Sequence, residues 1–131
     1  MSVPTHFKSG RSGQGAAYVS DHEGSAHARF MRTSSYALAP LGVLSAWWLA
    51  GVVGKSIEGV RAEIGHPLPA IVLIVFAVLG MVHARQGMTE IIEDYVHDAA
   101  LKEKALRWNR IAAIAIAGVW TFAIMLIAAP K

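Results

Sequence analysis

Apolar residues are not scattered along this chain. They concentrate in two charge-free runs of about twenty residues, Ser34–Val53 and Ile111–Pro130, and in a shorter run between them, Leu68–Val82. Twenty helical residues rising 1.5 Å each cover the roughly 30 Å hydrocarbon core of a bilayer, so each longer run predicts a membrane-crossing helix. The middle run alone suits either a membrane span or a buried soluble helix. Beyond it, however, Ala84, Gly87, Met88, Ile91, Ile92 and Val96 recur at three-and-four spacing, which carries one helix onward with its polar groups gathered in a stripe. Pro67 and Pro69 suit the first turn of that helix, where a missing N–H costs little. Pro40 near the start of the first run is tolerated, and Trp47 and Trp48 near its end suit an interface. The pattern predicts an all-α membrane protein with three transmembrane helices at about 34–54, 67–96 and 108–129, an up-down-up bundle. Polar connectors are expected at Lys55–His66 and Asp98–Arg110.

Residues 1–26 are rich in Gly, Ser and charge and predict a flexible polar segment ahead of an anchor domain over 27–131. No apolar core lies in the first thirty or so positions, so no cleaved secretory signal is expected and the first apolar run should act as an uncleaved anchor. Gly13 and Gly15 lack the preceding strand and following Lys-Ser or Lys-Thr of a phosphate loop.

Composition agrees with the membrane class: 54% of residues are hydrophobic and the mean hydropathy is +0.43. The net charge of +3 does not imply nucleic acid, because the basic residues flank the apolar runs and form no single patch. Lys8, Arg11, Arg29 and Arg32 precede the first run, and Lys102, Lys104, Arg107 and Arg110 precede the last. The first connector has only Lys55 and Arg61, and the C-terminus only Lys131. Positive flanks stay inside, so the N-terminus is expected in the cytoplasm and the C-terminus outside. The absence of cysteine removes disulfides and thiolate-held iron–sulfur clusters, leaving histidine as the strong ligand for haem or a soft metal.

The middle helix carries His83, Arg85, Glu90, Glu93 and Asp94, and ionisable groups at membrane depth usually face a bundle interior or cavity. His83, Gly87, Glu90 and Asp94 share one face, with Tyr95 one position further round; His83 and Asp94 stand roughly 16 Å apart along the axis. His83 can offer a ring nitrogen to haem iron, with Gly87 making room one turn on. It can equally be a core histidine hydrogen-bonded to another helix. His66 and His97, at or beyond opposite ends of the helix, are too distant to supply a second ligand, which would have to come from another chain. The Tyr95 hydroxyl can donate to a quinone carbonyl with Asp94 beside it, or belong to an aromatic belt. His27, Arg29 and Arg32 could meet propionates or anionic headgroups, or serve only as positive-inside residues. Arg85 lies off the His83 face and suggests a salt bridge to Glu90 or to a partner's carboxylate.

His83-Ala-Arg-Gln-Gly-Met-Thr-Glu-Ile-Ile-Glu-Asp-Tyr-Val-His97 resembles the second-helix motif of the succinate dehydrogenase hydrophobic membrane anchor, D-subunit type: a histidine, Gly-Met four residues on, then Asp-Tyr after eleven and twelve. Gly24-Ser-Ala-His27, with Arg32 five residues later, is similar to that family's segment before the first helix, and the resemblance covers about residues 24–129. Ala28-Arg29-Phe30-Met31 replaces the family's usual aromatic and glutamine residues, and Arg85 and Glu90 add charge to the second helix. The resemblance implies that His83 is an axial ligand of haem b, that Tyr95 hydrogen-bonds ubiquinone beside Asp94, and that His27 and Arg32 lie near the haem propionates. It implies a second, C-type cytochrome b anchor sharing the haem, with FAD and iron–sulfur clusters confined to a flavoprotein and an iron–sulfur partner. This chain would be a subunit of an enzyme without being catalytic alone, set in the bacterial inner membrane, or the mitochondrial one in a eukaryote. Rival readings are the anchor of a quinol:fumarate reductase or another b-type cytochrome, and a purely structural membrane subunit. A soluble bundle would have to bury both charge-free runs completely within 131 residues.

Overall fold

The computed structural model describes the backbone of residues 6–130 and the side chains of residues 26–130. Of the expected flexible segment at 1–26, residues 1–25 lie outside the residues described at side-chain level. Four helices make up the described chain, α1 His6–Gly51, α2 Ile57–Ile64, α3 Pro67–Tyr95 and α4 Ala99–Ala128, with no strand among the described residues. The chain divides into two compact units, Met1–Thr33 and Ser34–Lys131, and the second holds the rest of α1 together with α2, α3 and α4.

Helix boundaries differ from those drawn on hydrophobicity, for a physical reason. The third helix was expected from about 108, yet α4 starts at Ala99, where Asp98 caps it by accepting a 2.7 Å hydrogen bond from the Leu101 N–H. Ala99-Ala-Leu-Lys-Glu-Lys-Ala-Leu106 is a run of strong helix formers, so the expected charged connector is helical. Charge marks where lipid ends, not where helix ends. The first helix, drawn at 34–54, is part of α1, which begins well before Ser34 and stops at Gly51, just ahead of Gly54 in the left-handed region at φ +75°. The expected first connector contains α2, capped by Ser56, whose hydroxyl accepts from the Gly59 N–H. α3 opens on Pro67 behind His66 and closes at Tyr95.

Within the second unit, α3 runs antiparallel to both α1 and α4. Ser34 meets His83, and Gly42 meets Phe76, so positions rise on α1 as they fall on α3. Lys102 Nζ donates to the Glu93 carbonyl and Asn109 Nδ2 to the Arg85 carbonyl, which gives the same reversed register against α4. A cluster of Ile64, Ala70, Leu73 and Ile124, flanked by Trp48 and Trp120, ties α2, α3 and α4 together near the end opposite Tyr95. Leu73 is fully buried. Leu73→Ala should cost roughly 2–5 kcal/mol, because the surrounding helices cannot wholly collapse onto the space it leaves. Thermal unfolding of the detergent-purified protein checks this: a lowered midpoint is expected, and an unchanged one would mean that the cluster carries no stability.

α3 and α4 are each long and apolar enough to cross a membrane. They are largely unburied, with Ile71, Val75, Val78, Ile114, Val119 and Phe122 exposed. A soluble monomer rarely shows so much contiguous apolar surface, whereas lipid or partner helices would cover it at no cost. The Ser34–Gly51 part of α1 is apolar but diluted by Ser45, Pro40, Trp47 and Trp48.

Candidate functional site

His83 lies on the α1 side of α3, half-buried, and its Nδ1 is 2.7 Å from the Ser34 hydroxyl oxygen. Ser34 itself is only 4% exposed. The contact exists because of helix register. Gly42 brings α1 onto the Phe76 ring, where a Cβ would stand 3.3 Å from a ring carbon, and Gly80 lies opposite Leu38. Two small residues on facing helices allow an approach close enough for a short serine side chain to reach the imidazole. One ring nitrogen is thereby engaged, and Nε2 makes no hydrogen bond to a described residue. When Nδ1 carries the proton and donates to Ser34 Oγ, Nε2 presents its lone pair, the form of histidine that binds a metal. Nothing in the sequence pointed to Ser34, which reads there only as the polar start of an apolar run.

Asp94 and Tyr95 stand together at the C-terminal end of α3, about 16 and 18 Å along the helix axis from His83. Tyr95 is 78% exposed and Asp94 is exposed too, so these groups face outward from this chain. Just beyond, His97 Nδ1 lies 3.0 Å from the Tyr95 carbonyl oxygen, and Lys102 spans from α4 to the Glu93 carbonyl. These contacts hold the end of α3 against the start of α4 and leave the phenol unconstrained. His27 and Arg32 lie on α1 in the first unit, His27 half-buried and Arg32 exposed. His66 occupies the N-cap position of α3 without a side-chain capping bond and His97 follows its C-terminus, so neither approaches His83 along that helix. Among the described residues no group of three or more His, Asp or Glu side chains gathers as a metal site.

Arg85 turns away from the His83 face, toward α4. The ion pairs joining described residues, Lys55–Glu63 and Arg107–Glu103, do not include it, and the suggested bridge to Glu90 is not among them.

A helical protein with long, uncovered apolar helices and a single braced histidine on the central one belongs to the membrane-embedded class. More particularly, residues 15–126 match the model of the Succinate dehydrogenase/Fumarate reductase transmembrane subunit family, and the chain belongs to that family. It is also similar to the succinate dehydrogenase hydrophobic membrane anchor subunit of Paracoccus denitrificans, 36% identical over 83 residues, 63% of this chain. The matched region spans 64% of that relative's length. No solved structure matches.

Proposed function

We propose that this chain is the membrane anchor of a succinate:quinone oxidoreductase, crossing the membrane three times through 34–51 of α1, α3 and α4, with its N-terminus in the cytoplasm. The family match and the antiparallel register of these segments support the three spans, and the lysine and arginine distribution supports the orientation. The bacterial inner membrane is the location this layout suits.

The observation that carries the reading is the Ser34–His83 contact. It fits the residue to haem b: Ser34 holds Nδ1, which leaves Nε2 as the donor atom toward iron. A second anchor chain would supply the other axial ligand, since His66 and His97 are at the ends of α3. His27 and Arg32, basic or hydrogen-bonding groups ahead of the first span, are assigned to the propionate side. When bound, haem b supplies a one-electron carrier within the anchor.

Tyr95 and Asp94 are assigned to ubiquinone. The phenolic O–H donates to a quinone carbonyl and so stabilises charge arriving on that oxygen, while the Asp94 carboxyl beside it can hold a proton for transfer. Because Tyr95 is 78% exposed in this chain, the pocket walls must come from the second anchor and the iron–sulfur subunit. Succinate oxidation belongs to the flavoprotein, whose electrons pass through the clusters of the iron–sulfur partner, and this chain alone catalyses nothing. The family description also covers fumarate reductases, so the anchor of a quinol:fumarate reductase is the second reading. The succinate-type relative favours the first.

Purifying the complex through a tag on this chain tests the assignment. Co-purification of a flavoprotein and an iron–sulfur protein with succinate-dependent ubiquinone reduction is expected; a chain that returns alone, without that activity, would reject it. Ser34→Ala is expected to keep the haem but raise its midpoint potential, because an imidazole that no longer donates to an acceptor is a poorer base and stabilises ferric iron less. Ser34→Thr should restore the wild-type value. A redox titration that cannot distinguish Ser34→Ala from wild type would remove the serine from the site.

A further inference from the structure

Between α3 and α4 runs a groove that neither the haem nor the quinone assignment uses. At one end, Arg85 and Thr89 face Glu103, Arg107 and Arg110 around a cavity of about 350 Å³. Three guanidinium groups meet one carboxylate there, and Glu103 is already paired with Arg107 at 3.5 Å. Arg85 and Arg110 have no carboxylate partner among the described residues. The wall behind them is braced: Asn109 Nδ2 donates to the Arg85 carbonyl at 3.0 Å and to Thr89 Oγ1 at 3.2 Å, and the Thr89 hydroxyl donates to the same carbonyl at 2.9 Å.

Arg85 also borders a second cavity of about 230 Å³, which leads toward the middle of both helices and is otherwise apolar, lined by residues such as Val78, Val82, Ala113 and Ala117. The change from basic to apolar lining falls where the charge-free run starts, since Arg110 immediately precedes Ile111. In a spanning helix this is the level of the phospholipid headgroups. A free phosphate would satisfy the guanidinium groups but leave the apolar trough bare, and an acidic side chain of a partner would do the same. A ligand with an anionic head and a hydrocarbon tail meets both halves.

We propose that the α3–α4 groove binds an anionic phospholipid, its phosphate held by Arg85, Arg107 and Arg110 and an acyl chain lying along Val78, Val82, Ala113 and Ala117. The bidentate geometry of arginine suits a phosphate, and its apolar stem can follow the chain into the trough. The proposal rests on α3 and α4 spanning the membrane and is independent of the haem and quinone roles, so His83 variants should leave it untouched.

Native mass spectrometry of the purified complex in neutral detergent, with phosphatidylglycerol or phosphatidylcholine added, tests it. The wild type should retain phosphatidylglycerol preferentially. Replacing Arg85 and Arg110 together by Gln should weaken that retention by about fivefold per guanidinium removed, without changing phosphatidylcholine. Replacing both by Lys should preserve most of the preference, which separates lost charge from a misfolded groove. Ala113→Trp, which fills the trough, should release phosphatidylglycerol while leaving inorganic phosphate binding as it was. Equal retention by wild type and the Gln pair would overturn the proposal. So would loss of a partner subunit with lipid retention unchanged, which would make the arginines a protein contact. Full displacement by inorganic phosphate with no effect of Ala113→Trp would reduce the groove to an anion site and reject the lipid.

Discussion

His83→Ala is expected to abolish or strongly shift the b-type signal in a reduced-minus-oxidised spectrum of the purified complex. Ser34 engages Nδ1 of this imidazole at 2.7 Å, which would leave Nε2 as the atom toward the iron, and the variant removes both. If His83 would hold the haem iron, removing its imidazole would weaken or abolish haem retention, and the spectrum would change with it. Two outcomes would count against the assignment: a wild-type complex with no haem, or a variant whose spectrum is unchanged. The second would leave His83 as a core histidine satisfied by Ser34, the alternative that residue type and depth alone left open. Ser34→Ala discriminates further, because it should move the potential of a coordinated haem but leave no optical trace if His83 serves only in packing.

Tyr95→Phe should lower ubiquinone reduction by about tenfold or more while succinate oxidation with an artificial dye continues. A hydrogen bond to an oxygen gaining charge contributes roughly 1.5–3 kcal/mol, and a rate falls tenfold for each 1.4 kcal/mol lost. Since Tyr95 is 78% exposed and closes the last turn of α3, removing one hydroxyl there leaves helix packing intact, so reduced turnover reports on the site and not on folding. Unchanged quinone turnover would return Tyr95 to the aromatic belt. Asp94, next to it and equally outward, should show a pH-dependent loss when changed to Asn if it hands on a proton, and a pH-independent one if it only orients.

Family membership was legible in the chain itself, because its marks are local. The spacing from His83 through Gly87 and Met88 to Asp94 and Tyr95 lies on one helix, where geometry repeats every 3.6 residues and sequence distance converts directly into position. The apolar runs were legible for the same reason, as a bilayer imposes a length and every backbone group in it must be satisfied within the helix. Helix ends were less so. Hydrophobicity reports the solvent around a helix, while caps and propensity set its limits: Asp98 starts α4 at Ala99 within a segment whose charges suggested a connector.

What only the tertiary structure decided is which side chains from different helices meet. No periodicity in α1 singles out Ser34; it reaches His83 because antiparallel helices in a particular register pass close at Gly42 and Gly80. Arg85 on α3 and Arg110 on α4 likewise look unrelated in the sequence, where they fall in different elements. They border one groove because the short turn at Val96–Asp98 folds α4 back along α3 and Asn109 locks the register against the Arg85 carbonyl. Spacing along a single helix determines the family's motif. Contacts between helices depend on rotation and offset, which small-residue packing and a few hydrogen bonds select only once the chain has folded.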